Sequence, residues 1–247
     1  IDKNYLIDIY ELAKGINLKL SGNEMIDCID DYIFICFFLG NDFMPHFPHL
    51  NIRTNGIDIL IDFYKQFKKG KIILDNKINW KSLKNIVKEL AKFEQKLFIE
   101  EHDKRNKLSN NLKKKNLEGE MLIQSKPIFE RSIENFINPN EVFWQNRYYS
   151  ELFKIEIDEV RKQQICINYL EGLEWNYKYY TEDCFDWFWN YKYNYPPLLQ
   201  DLYQFIPDFE TQFIEEPNYN VIKPITQLAY VLPRNSLNLL PINLFKK

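Results

Sequence analysis

Asp42 is the residue of this chain best placed to do chemistry. It lies in Gly40-Asn41-Asp42-Phe43-Met44-Pro45-His46, directly after a run, Tyr32 to Leu39, in which every residue is apolar or aromatic. A helix apolar on all faces belongs in an interior. Glycine after its last turn is the expected left-handed stop. Asp42 is then set at the negative end of the helix dipole, where desolvation also disfavours a charge. An ionised carboxylate in that place calls for a cation. A divalent metal and metal-assisted phosphoryl chemistry are the simplest candidates. The competing reading is that Asp42 caps the turn by accepting backbone amides, as Asn-Asp pairs often do. The residues alone leave the two open.

A second segment offers a different chemistry. Aromatic residues stand at 185, 187, 189, 191, 193 and 195, before Pro196-Pro197. That is the period of an extended chain. One edge of such a segment packs into a core while the other can line a groove, where a ring stacks on an unpaired base at about 1–3 kcal/mol. Most of these rings read as packed core, with one Trp facing substrate. His46 and His49 have a His-x-x-His spacing, but no Cys or acidic partner stands at zinc-site spacing, and no zinc site is expected.

The elements that must position these residues are mainly helical, α+β at most. Residues 3–19 read as a first helix. Ser21-Gly22-Asn23 breaks it, and Glu24 and Asp27 are expected in the first turn of a second helix running to about Leu39. An amphipathic helix follows over 55–69, stopped by Gly70. A small hairpin is expected where Ile72-Ile73-Leu74 and Ile78 flank Asp75-Asn76-Lys77. A long helix spans about 80–104. Three regions result: 1–100, a helical segment carrying the Asp42 turn; 101–140, a charged, partly flexible linker; and 141–247, a second, aromatic-rich region, helical over 141–180 and then extended. Lys113–Lys115 read as a solvated charge run.

Composition narrows the function classes. The 247 residues can bury a sizeable core, and 19 Phe, 16 Tyr and 5 Trp make the chain unusually aromatic. A net charge of −3 carries no general basic footprint, so contacts to a nucleic-acid backbone must be local or come from elsewhere. No apolar run approaches the roughly 18 residues of a membrane span, and no membrane partner is expected. The four cysteines have no paired metal spacing and suit a reducing, intracellular setting, cytoplasmic or nuclear. The first residue is Ile rather than Met, and the chain reads as an excerpt of something longer.

Four motifs, in order, resemble the XRN family of processive 5′→3′ exoribonucleases. Ile29-Asp30-Asp31-Tyr32 through Gly40-Asn41-Asp42-Phe43-Met44-Pro45-His46 is similar to the family's acidic-aromatic helix and the turn after it. Trp144-Gln145-Asn146-Arg147-Tyr148-Tyr149 is similar to the entry of its second conserved region. Tyr169-Leu170-Glu171-Gly172-Leu173-Glu174-Trp175, together with Cys184, Trp187, Trp189, Tyr191, Tyr193, Tyr195 and Pro197, resembles its aromatic signature. Gln227-Leu228-Ala229-Tyr230-Val231-Leu232-Pro233, with Leu239-Leu240-Pro241, resembles its close.

The resemblance implies Asp42 as a catalytic, metal-ligating carboxylate of a two-Mg²⁺ site that residues outside this chain complete. It implies Trp187, or failing that Trp189, as the ring that stacks on RNA. Asp30, Asp31 and Asn41 become candidates for supporting that site, with Asp30 and Asp31 alternatively structural. The implied substrate is single-stranded RNA bearing a 5′-monophosphate, and the implied partner is the N-terminal nuclease portion of the same protein. Two departures stand out. Cys184 lies one residue further from the first Trp than the family pattern has it, and Lys192-Tyr193-Asn194 replaces the usual Pro-Tyr-His. Lys192 could contact phosphate. Arg147 is expected to pair with an acidic neighbour or to touch an RNA backbone. The alternatives are a catalytically degenerate RNA-binding homologue and a protein-interaction scaffold.

Overall fold

The structure is a computed structural model, and it describes residues 6–115, 118–215 and 222–241. Residues 3–5 of the expected first helix lie outside those bounds. Helix α1 is Ile9–Ser21, opened by the Asp8 side chain, which accepts the Tyr10 and Glu11 amides, and closed by Gly22 at φ 77°. It begins later than the sequence pattern suggests because the cap is at Asp8.

Helix α2 is Ile29–Cys36, extended by one 3-10 turn over Phe37–Leu39. It starts five residues later than expected. Asn23 and Asp27 spend their side chains on the Met25 and Ile29 amides, local turns that compete with an earlier helical start. Helix α3 is Gly56–Phe67. Strands β1 (Ile73–Leu74) and β2 (Lys77–Ile78) pair antiparallel, Ile73 opposite Ile78 and Leu74 opposite Lys77. The connecting Asp75-Asn76 have φ of 48° and 59°, the doubly left-handed turn that matches strand twist.

Helix α4 is Trp80–Lys113, well beyond the expected end near 104. It is followed by α5 (Gly119–Phe129) and α6 (Ser132–Ile137), so helices stand where a linker was expected. The charges there are used internally. Buried Glu101 accepts the Thr54 hydroxyl at 2.8 Å. Buried Arg131 reaches Glu134 and Asn106, and Arg105 pairs with the same Glu134. Pairing across 25 or more residues in sequence lets charged side chains be buried, and periodicity cannot register it.

The region 141–180 is helical as expected and holds two helices, α7 (Trp144–Phe153) and α8 (Glu159–Thr181), separated at Lys154 with φ 56°. Helix α9 is Leu199–Phe205 and α10 is Pro224–Val231. The main core joins α2, α3, α4, α8 and α9 around Phe34, Phe47, Tyr64, Trp80, Leu90 and Tyr169. A smaller cluster gathers Ile137, Trp144, Tyr148, Tyr149, Ile165 and Leu198. Buried Glu94 of α4 accepts the Leu199 and Gln200 amides at 2.6 and 3.0 Å, capping α9 from a distant helix. No helix among the described residues is long and apolar enough to cross a membrane.

Candidate active site

Gly40 has φ 81°, and a Cβ there would lie 2.7 Å from the His46 amide nitrogen. Both facts demand glycine, because the chain reverses on itself between 40 and 46. Inside that reversal Asn41 is the clamp. Its Oδ1 accepts the Phe43 and Met44 amides at 3.0 and 2.9 Å, and its own amide donates to the Met44 carbonyl at 3.0 Å.

Asp42 is therefore not the turn's cap. It is exposed, and no hydrogen bond or ion pair among the described residues engages its carboxylate. The expected desolvation of this group is not found. What the fold does is hold its backbone rigidly and leave its oxygens free.

The turn is hung on α8. Asn41 Nδ2 donates to Asn176 Oδ1 at 2.7 Å. The Phe43 ring meets Trp175 and Tyr179 edge-on, at 4.8 and 4.9 Å. Met44, fully buried, lies over Gly172, where a Cβ would come within 2.6 Å of its Cε.

The aromatic segment docks on the same two turns of α8. Trp175 Nε1 donates to the Asp186 carbonyl at 2.8 Å, and the Asp186 carboxylate accepts the Phe188 and Trp189 amides. Trp189 stacks on Trp175 at 5.3 Å, Trp175 stacks on Tyr179 at 5.1 Å, and Trp189 Cη2 also crowds Gly172. From 189 to 194 half-buried and exposed positions alternate, the period-two pattern, although no strand partner pairs with the segment. The two tryptophans thus separate. Trp189 is a packing ring, its Nε1 buried without a hydrogen-bond partner among the described residues. Trp187 is half-buried and has no ring contact among the described residues, although the backbone on both sides of it is pinned. Asp42 and Trp187 are carried by one stretch of α8, from Gly172 to Tyr179.

Asp31 and Asp30 lie elsewhere. Asp31 is 1% exposed and accepts the Tyr64 hydroxyl at 2.5 Å and the Ile72 and Ile73 amides at 3.0 and 2.8 Å. Burial pushes the Tyr64 phenol well up, which keeps it a donor. Asp31 fastens α2 to α3 and to the hairpin. Asp30 has its carboxyl raised by burial and then by the neighbouring charges of Asp27 and Asp31. Both start α2, about nine residues of helix from Leu39 and hence roughly 14 Å from the Asp42 end. Arg147 has the expected acidic neighbour, Glu141 at 3.8 Å, and donates to the carbonyls of Phe136, Ile137, Asn138 and Val142, so it braces the end of α6. His49 is buried, and neither ring nitrogen has a hydrogen-bond partner among the described residues. Asn176 went unread in the sequence, and an Asn inside a helix carries no signal of what it holds.

An exposed carboxylate with no donor upon it suits a hard divalent cation, which takes oxygen ligands. No group of three His, Cys, Asp or Glu among the described residues is arranged to hold a metal. Asp42 thus fits as one ligand of a metal site and not as a whole site.

Residues 23–134 and 130–246 match the family described as Xrn1 helical domain. The chain is 26% identical to 5′-3′ exoribonuclease 2 of Arabidopsis thaliana, over 86% of this chain and 29% of that protein. It is 27% identical to the Drosophila melanogaster 5′-3′ exoribonuclease 2 homolog, over 86% of this chain and 28% of that protein. Against 5′-3′ exoribonuclease 2 of Candida albicans the identity is 42%, over 32% of this chain and 8% of that protein. The chain spans somewhat under a third of the length of the Arabidopsis and Drosophila relatives.

Proposed function

The chain belongs to the XRN family, as its helical domain, and from that premise we propose that it is part of a Mg²⁺-dependent 5′→3′ exoribonuclease acting on single-stranded RNA with a 5′-monophosphate. The observation that carries the proposal is Asp42: a carboxylate without a partner among the described residues, on a clamped turn that rests on the same stretch of α8 as the segment bearing Trp187. Asp42 would supply one oxygen ligand. Magnesium bound there would neutralise charge on the scissile phosphate and activate the attacking water. The remaining carboxylates would come from the N-terminal nuclease portion of the same protein. Exposed apolar residues on two helices suit a large intramolecular interface of that kind: Ile9 and Tyr10 on α1, and Tyr230 and Val231 on α10.

Trp187 would stack on a base near the 5′ end, without sequence preference because every base has a π-face. Trp187→Ala in the full-length protein is expected to weaken single-stranded RNA binding by about 1–3 kcal/mol, measured by fluorescence anisotropy at fixed salt. Unchanged affinity with the fold intact would favour a protein-interaction scaffold instead.

A further inference from the structure

We propose that Asn176 is a positioning residue for the metal site at Asp42, an inference that rests on the reading of Asp42 as a metal ligand. Asn176 is fully buried in the C-terminal part of α8, where an amide is costly unless its groups are used. Its Nδ2 donates to the Gly172 carbonyl one turn back at 2.8 Å, and its Oδ1 accepts Asn41 Nδ2 at 2.7 Å.

The chain of bonds allows one orientation of each amide. Asn41 Oδ1 already accepts two backbone amides, so its NH₂ must face Asn176. Asn176 must then present its oxygen, which turns its own NH₂ toward a carbonyl that can only accept. If either amide flips, like atoms face each other. Asn176 therefore tethers the NH₂ end of Asn41 to α8, and Asn41 fixes the backbone from which Asp42 projects. Groups that orient a metal ligand without touching the metal typically affect affinity by about 10–100-fold when removed.

The test uses the full-length protein. In Asn176→Ser the hydroxyl can still donate to the Gly172 carbonyl but is too short to reach Asn41, so the helix is spared and the link is cut. Asn41→Ser, should Asn176→Ser fold poorly, cuts the same bond from the half-buried side and loses the clamp on the Phe43 and Met44 amides with it. Manganese affinity by electron paramagnetic resonance is expected to fall about 10–100-fold in either variant. Hydrogen exchange at the Phe43 and Met44 amides is expected to quicken. In an Asp42→Asn background Asn176→Ser should add no further loss of manganese, because it acts through Asp42 alone. If Asp42→Asn removes manganese but both serine variants bind it within twofold of wild type, Asn176 does not position the site. If Asp42→Asn itself leaves manganese binding intact, the reading of Asp42 falls and this inference with it.

Discussion

Gly172→Ala strikes the point where the Asp42 turn and the aromatic segment both rest on α8. The added Cβ would sit 2.6 Å from Met44 Cε and 2.8 Å from Trp189 Cη2. Carbon atoms in contact prefer about 3.5–4.0 Å, so each neighbour must retreat by about 1 Å. Met44 is 2% exposed and Trp189 is stacked on Trp175, so Met44 must press into packed neighbours and Trp189 must loosen its stack. Overpacking of this kind costs about 1–3 kcal/mol, partly in the stack that Trp189 must loosen. At 247 residues a loss of about 2 kcal/mol corresponds to a Tm lower by roughly 4–8 °C. Differential scanning calorimetry reads the Tm, and hydrogen exchange at Phe43 and Met44 reads the turn. A Tm within 1 °C of wild type, with exchange unchanged, would refute the claim that Gly172 is where the two segments interlock.

Asp31→Asn replaces one acceptor with a donor facing donors and strands at least one buried N–H or O–H, at about 2 kcal/mol or more. Urea denaturation checks this, and a loss below about 0.5 kcal/mol would contradict the clamp. His49, buried beside Phe47 and Phe98, has its pKa pushed down from 6.5 to about 3 by desolvation. A depressed histidine contributes stability that is present above its unfolded pKa and lost as pH falls toward the folded value. Between pH 7 and 5 the loss is about 2 kcal/mol. In His49→Phe the pH dependence of unfolding over that range should flatten by that amount, and an unchanged slope would assign the acid sensitivity to other groups.

Much of the frame was legible because local chemistry decided it. Asp75-Asn76 tolerate left-handed backbone and marked the hairpin, and Gly22 and Gly40 marked real stops. The charged stretch after 100 was misleading, since Glu101 and Arg131 look solvated until Thr54, Asn106 and Glu134 are seen beside them. The start of α2 was misread because Asn23 and Asp27 look equally at home in a first helical turn and in the local turns they form. At the site, spacing could place Asp42 and the aromatic run but not their surroundings. The difference between Trp187 and Trp189 lies in Gly172 and Trp175, more than ten residues away, and Asp42 proved exposed where the apolar run before it suggested burial.

Divalent-ion binding to the full-length protein, with and without Asp42→Asn, tests the central claim most directly. Isothermal titration with Mn²⁺ should show the stoichiometry reduced or the affinity weakened at least tenfold, with single-stranded RNA affinity preserved. Identical Mn²⁺ titrations for the two proteins would contradict it.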